Sequence, residues 1–278
     1  MSIVVLTLLI GLGSVGAGLL GALTGLGGGI VIVPMLTVLF HVDLRYAIGA
    51  SLVSVIATSS GAAAAYVREG YTNVRVGIVL EVATTLGALT GAFIAAFVSS
   101  SAIATIFGIV LLFSAYGASK PREERVTTQS PHPLASHLRL NSTYPTAAGE
   151  RAYSVQNVPA GFGLMAVAGV LSGLLGIGSG ALKVLAMDQA MRLPFKVSTT
   201  TSNFMIGVTA AASAGIYLQR GYIDPGLALP VMLGVLTGAL LGARLLTLAR
   251  TTHLRLLFTG VVVLLGLQML YKGIFGGL

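Results

Sequence analysis

The sequence predicts an all-α polytopic membrane protein of two inverted repeats, each a Gly-broken helical hairpin followed by three transmembrane helices. Three observations lead there. Of 278 residues, 55% are hydrophobic and 9% charged, with a mean hydropathy of +0.93, whereas a soluble domain carries about 25% charged residues. Apolar windows long enough to span a bilayer, which takes about 20 residues, recur along the chain. The chain also matches itself at an offset of 151 residues.

Taken in order, residues 3–41 form a long apolar stretch interrupted at Gly25-Leu26-Gly27-Gly28-Gly29, and spans follow at 46–67, 76–99 and 101–118. Residues 119–158 read as a polar, flexible linker carrying Lys120, Arg122, Arg125, Arg139 and Arg151. A second broken stretch, 160–191, is interrupted at Gly176-Ile177-Gly178-Ser179-Gly180, and spans at 197–219, 226–248 and 254–275 complete the chain. The domain boundaries expected are 1–118 for the first membrane repeat, 119–158 for a cytoplasmic linker and 159–278 for the second repeat. The N-terminal residues lack a basic n-region and run on past signal-peptide length, so they read as a retained membrane segment.

Duplication rests on matches in one register. Gly25, Gly27 and Gly29 fall on Gly176, Gly178 and Gly180, Ser51 on Ser202, Thr58 on Thr209, and Gly70-Tyr71 on Gly221-Tyr222. Charge then orients the halves, because cytoplasmic loops collect Lys and Arg. If each broken stretch enters and leaves on one side, Arg68, Arg75, the five linker cations, Arg192, Lys196, Arg244, Arg250 and Arg255 share a face. Arg45, Arg220 and Lys272 lie opposite, a twelve to three asymmetry. Each half then crosses an odd number of times, which makes the repeats inverted, a common plan of secondary transporters.

Composition also removes whole classes of function. A net charge of +8 in such an apolar chain reads as loop charge and not as a nucleic-acid footprint. Without Cys there is no thiolate site, and the four His at 41, 132, 137 and 253 have no metal-ligand spacing, so no metal or other cofactor is expected. Neither a phosphate-binding loop nor paired intramembrane carboxylates or a nucleophile triad is present, so the chain does not read as an enzyme or an ATP-driven pump.

The stretch Gly21-Ala-Leu-Thr-Gly-Leu-Gly-Gly-Gly-Ile-Val-Ile-Val-Pro34, its echo Ser172-Gly-Leu-Leu-Gly-Ile-Gly-Ser-Gly180, and the stretches Ala47–Ser51 and Ser198–Asn203 resemble the TauE/SafE sulfite exporter family. The resemblance implies a multi-pass permease of the bacterial inner membrane that moves sulfite, an organosulfonate or a related small anion; export is expected because an inside-negative potential favours it, by a monomer or homodimer. Leu185 in place of Pro34 and Lys183 in place of Ile32 distinguish the second half from the first.

The residues themselves supply a site. Helix interruptions within hydrocarbon expose backbone groups that must face protein or a water-filled cavity, and helices restarting there aim N–H donors at an anion. The candidate substrate-binding residues are therefore Gly27, Gly28 and Gly29, and Gly178, Ser179 and Gly180. To these are added Lys183 as a cation and Ser51, Ser202 and Asn203 as hydrogen-bond donors. Packing against neighbouring helices is the competing role for such glycines, and for Lys183 it is an ion pair with Glu81 or Asp188, or snorkelling to an interface. Glu81 is the acid within an otherwise apolar span, which makes it the proton-coupling candidate. Tyr66, Tyr71, Tyr217 and Tyr222 read as interfacial anchors.

Overall fold

Long apolar runs have one open-ended way to satisfy their own backbone in lipid, the α-helix, and most of the described part of the apolar windows takes it. The computed structural model describes residues 3–24, 28–68, 70–119, 132–146, 149–246 and 251–276. Helix α1 (Ile3–Thr24) precedes the first break. Beyond the break, α2 (Gly29–Pro34) continues as a π-helical turn, Met35–Leu39, and α3 (Leu44–Arg68), α4 (Val74–Ile94) and α5 (Ser100–Ser119) follow. The second half repeats the order. It comprises α7 (Val158–Leu175), α8 (Gly180–Leu185) with its π-turn Ala186–Ala190, α9 (Phe195–Gln219), α10 (Pro225–Leu246) and α11 (Thr251–Phe275). Among the described residues, α1, α4, α5, α7 and α10 are long and apolar enough to cross a membrane. Side chains such as Leu12, Ile78, Val82, Leu86, Phe93 and Leu240 stand exposed on them, as lipid-facing positions must.

The offset of 151 residues holds at the level of elements. The pairs Gly29–Pro34 and Gly180–Leu185, Met35–Leu39 and Ala186–Ala190, and Leu44–Arg68 and Phe195–Gln219 correspond at both ends. Even the backbone strain repeats: His41 (φ 53°) answers Arg192 (φ 56°), and Gly70 (φ 75°) answers Gly221 (φ 72°). The two glycines end α3 and α9, where a left-handed residue closes a helix without a Cβ penalty. Asn73 then caps α4, accepting from the Val76 N–H at 3.0 Å, as Asp224 accepts from the Gly226 N–H at 2.7 Å at the start of α10.

Packing repeats as well. Helix α1 lies on α10 as α7 lies on α4. At Gly18 a methyl group would overlap the Val235 carbonyl, and at Gly238 the Val15 carbonyl. At Gly169 and Gly87 it would overlap the carbonyls of Thr84 and Ala166. The four clashes form two symmetric pairs, so glycine brings both helix pairs to backbone contact, as small residues do in membranes. At the centre, α3 and α9 run antiparallel. Arg45, at the start of α3, hydrogen-bonds the Tyr222 hydroxyl at 2.9 Å just beyond α9. Lys196, at the start of α9, meets the Tyr71 hydroxyl at 3.3 Å just beyond α3.

Both broken stretches return toward their starting end. The Gln156 N–H, before α7, donates to the Met191 carbonyl after the second π-turn at 3.0 Å. In the first half, Met35 and Phe40 approach Gly13 of α1.

The expected flexible linker is folded over much of its second part, because residues that read as polar in sequence bury an apolar minority. Helix α6 (Pro133–His137) and the antiparallel strands β1 (Ser142–Thr146) and β2 (Gly149–Tyr153) place Ala135, Leu140, Tyr144, Tyr153 and Val155 in one cluster. Val76, Leu80, Met187, Met191 and Val197 join them there. The ribbon is the departure from an all-α fold. Asn73 joins it to the membrane part, its amide donating to the Leu140 carbonyl at 2.8 Å and the Tyr153 hydroxyl at 2.7 Å. Burial pushes the Tyr153 phenol up to about 12, against the opposing hydrogen bonds from Asn73 and Ser142.

Candidate functional site

The second break is an open link in the helix, not a kink. Gly176 and Gly178 adopt φ of 67° and 69°, and Ser179, with φ of 49°, takes the same left-handed region despite its side chain, a strain that persists only where surroundings enforce it. Those surroundings are the midpoints of the two central helices. A methyl group at Gly178 would meet Ile206 of α9 and Val55 of α3, which are themselves 151 residues apart. At Gly29, across the first break, it would meet Val55, Ser51 and the Ile177 backbone. The two interruptions therefore meet each other near the middle of the antiparallel pair. Gly27 lies outside the described residues.

Ser51 and Ser202 are where the repeat placed them, but their hydroxyls are engaged with backbone. Ser51 donates to the Gly176 carbonyl at 2.7 Å, tying the first repeat to the break of the second. Ser202 donates to the Gly180 carbonyl at 3.2 Å. A broken helix leaves carbonyls that need donors, and these two hydroxyls supply them. Gly28, Gly29, Gly178, Ser179 and Gly180 are all buried. Ser179 is 2% exposed and its Oγ has no hydrogen-bond partner. Asn203 is half-buried beside Ser202 on α9. Tyr217, expected at an interface, is instead buried and donates to the Gly173 carbonyl at 3.2 Å, bracing the helix that leads into the break.

Lys183 sits on α8 just past the break and is 0% exposed. Its Nζ donates to Thr209 Oγ1 of α9 at 2.5 Å, and Thr209 in turn donates to Glu81 Oε1 of α4 at 2.6 Å. The Thr85 hydroxyl adds a third bond, to the same Oε1, at 3.1 Å. Glu81 Oε2 stands 3.9 Å from Nζ and makes no hydrogen bond. Of the two acids weighed as partners of Lys183, Glu81 is the one within ion-pair distance. Sequence reasoning missed Thr209 as the bridge, although its match to Thr58 in the repeat had already marked it.

A buried ammonium beside a carboxylate, on a helix that restarts just past the break, can answer the arrival of a small anion electrostatically. Among the described residues, no cluster of His, Asp or Glu has the makings of a metal site.

Comparison with known proteins agrees in kind. The profile of a family described as "Sulfite exporter TauE/SafE" matches residues 9–269. The chain is 31% identical over 267 residues to the "Probable membrane transporter protein YunE" of Bacillus subtilis, covering 93% of this chain and 95% of that protein. It is 27% identical to the "Probable membrane transporter protein YdhB" of the same organism, covering 91% and 96%. It is also 24% identical to a probable membrane transporter protein of Methanocaldococcus jannaschii, covering 91% of each. No solved structure matches the chain.

Proposed function

The chain belongs to the TauE/SafE sulfite exporter family, and on that premise we propose that it is a secondary transporter moving sulfite, or a related small sulfur oxyanion or organosulfonate, across the bacterial inner membrane by alternating access. The observation that carries this reading is the meeting of two glycine breaks at the midpoints of antiparallel α3 and α9. Matched interruptions at the interface of two halves are the architecture of a midplane substrate site. The halves are inverted repeats, with the linker cytoplasmic and the termini outside. Gly27 to Gly29 and Gly178 to Gly180 supply backbone donors, Lys183 the charge, and Ser179 and Asn203 side-chain donors, joined by Ser51 and Ser202 once their present contacts exchange. Export of an anion runs with an inside-negative potential, worth about 2.3 kcal/mol per charge per 100 mV.

A second reading, proton-coupled import, is favoured by one observation, the placement of Glu81 against Lys183. Thermal stabilisation of the purified protein across sulfite, sulfate, thiosulfate and alkanesulfonates tests the binding step, and anion flux into proteoliposomes tests transport. Turnover of an anion without net movement, or no response to any of them, overturns the transport reading. Topology is read separately in this Cys-free chain: a label from the cytoplasmic side is expected to reach Thr128→Cys but not Ser2→Cys, and the reverse pattern sinks the orientation.

A further inference from the structure

The Glu81–Thr209–Lys183 chain is present in one half and has no equivalent in the other. The positions 151 residues away from Glu81 and Lys183 are Met232 and Ile32, whereas Thr209 keeps its counterpart, Thr58. The same frame therefore folds without the charges, and packing alone does not call for them. Nor do they serve stability well, because a buried ion pair is often replaced by apolar side chains at no loss.

Its geometry is incomplete in a particular way. Glu81 Oε1 takes both hydroxyl donors, while Oε2 is buried, unbonded and 3.9 Å from the ammonium. The ammonium has three donors, and among the described residues the one bond it makes is to Thr209. Among the described residues, the other ionisable groups on the elements packed against the pair are few. Helix α7 contains none, and α5 carries Tyr116. On α4 the other is Arg75, which bonds the Arg139 carbonyl. On α9 they are Lys196, on Tyr71, and Tyr217, on Gly173. Beyond Lys183, the α8 segment carries Asp188 on the π-turn.

Resting on the second, proton-coupled reading above, we propose that a monovalent oxyanion binds Lys183 only together with one proton, which Glu81 accepts at Oε2. The empty site holds one ammonium and one carboxylate, so its net charge is zero. An anion arriving alone would leave a buried net negative charge, which low-dielectric surroundings strongly disfavour. A proton from the aqueous phase forms an O–H bond at Oε2 and restores neutrality, and no other bond is made or broken. Both empty and loaded forms then cross the membrane field as neutral units. The substrate class follows: alkanesulfonates and bisulfite fit, while a dianion such as sulfate leaves an uncompensated charge. The direction of flux follows the proton gradient, as in the second reading.

The test uses methanesulfonate, whose charge is constant between pH 5.5 and 8, so that any pH dependence belongs to the protein. With the purified full chain, its affinity is expected to rise about tenfold for each unit of acidification, the signature of one linked proton. In E81Q the affinity is expected to be flat between pH 5.5 and 7 and, at pH 7, above that of the unmodified chain. E81M, bearing the residue of the other half, is expected to show the same flat profile should the amide fold poorly. In proteoliposomes, an acid-outside gradient is expected to accumulate methanesulfonate, and the E81Q protein is expected to lose that accumulation. A flat profile in the unmodified chain, a slope that persists in E81Q, or preference for sulfate overturns the proposal. Sulfite carried without any methanesulfonate binding also overturns it and leaves the transport reading standing. Failure of every anion to bind or move removes the transport reading itself.

Discussion

At the residue scale the decisive group is a neutral one. Thr209 accepts from Lys183 and donates to Glu81, so Thr209→Val removes the acceptor of one buried charge and a donor to the other. Unmet buried groups of this kind cost about 1–3 kcal/mol. A lower melting temperature in detergent is expected for T209V, while Thr58→Val, whose hydroxyl bonds its own helix at 3.0 Å, is expected to change little. Tyr153 offers a pH measurement. Its neutral form is favoured by folding, so its contribution is complete below pH 10 and is lost as the pH rises from 10 toward about 12. Tyr153→Phe is expected to lessen the alkaline fall in stability over that window, read by thermal melts. Lys183 and Glu81 were legible in the sequence because ionisable residues in apolar spans stand out. Their connection was not, since it runs through a hydroxyl 128 residues from Glu81, and hydroxyls are common in membrane helices.

At the element scale the sequence was more informative. The spans expected at 46–67, 101–118 and 197–219 became α3, α5 and α9 with boundaries moved by two residues or fewer. Helix α4 stops at Ile94, earlier than its apolar window, because composition does not mark a turn made of Ala95 to Phe97. The π-turns were invisible: one follows Pro34 and the other Leu185, so proline is not their cause, and their periodicity differs too little from an α-helix to show in a hydrophobic pattern. Helix contacts give a paired prediction. Gly87→Ala and Gly238→Ala, each pressing a methyl into a neighbouring carbonyl, are expected to destabilise by about 1–3 kcal/mol apiece. Gly163→Ala, with open space around it, is expected to be neutral or stabilising by up to about 1 kcal/mol. Thermal melts of the three proteins read the difference.

At the scale of the whole molecule, the duplication was legible because one offset accounts for the breaks and the loop pairs. The folded linker was not, because five buried side chains spread over some twenty polar residues give no periodic signal. Replacing residues 142–153 by a short Gly-Ser segment uncovers Asn73, Val76 and Met191 and is expected to lower the melting temperature while the chain still inserts into membranes, checked by fractionation and a melt. The close seams of α1 with α10 and of α4 with α7 carry a further implication for motion. Helices touching backbone to backbone through bare Cα positions have few rotamers with which to slide, so each couple should swing as a stiff board. The give has to come from the hydroxyl-lined crossing of α3 and α9, whose serines and threonines can trade one carbonyl for another at little energetic penalty. A disulfide stapling α1 to α10 should then leave transport intact, and one stapling α3 to α9 should freeze it.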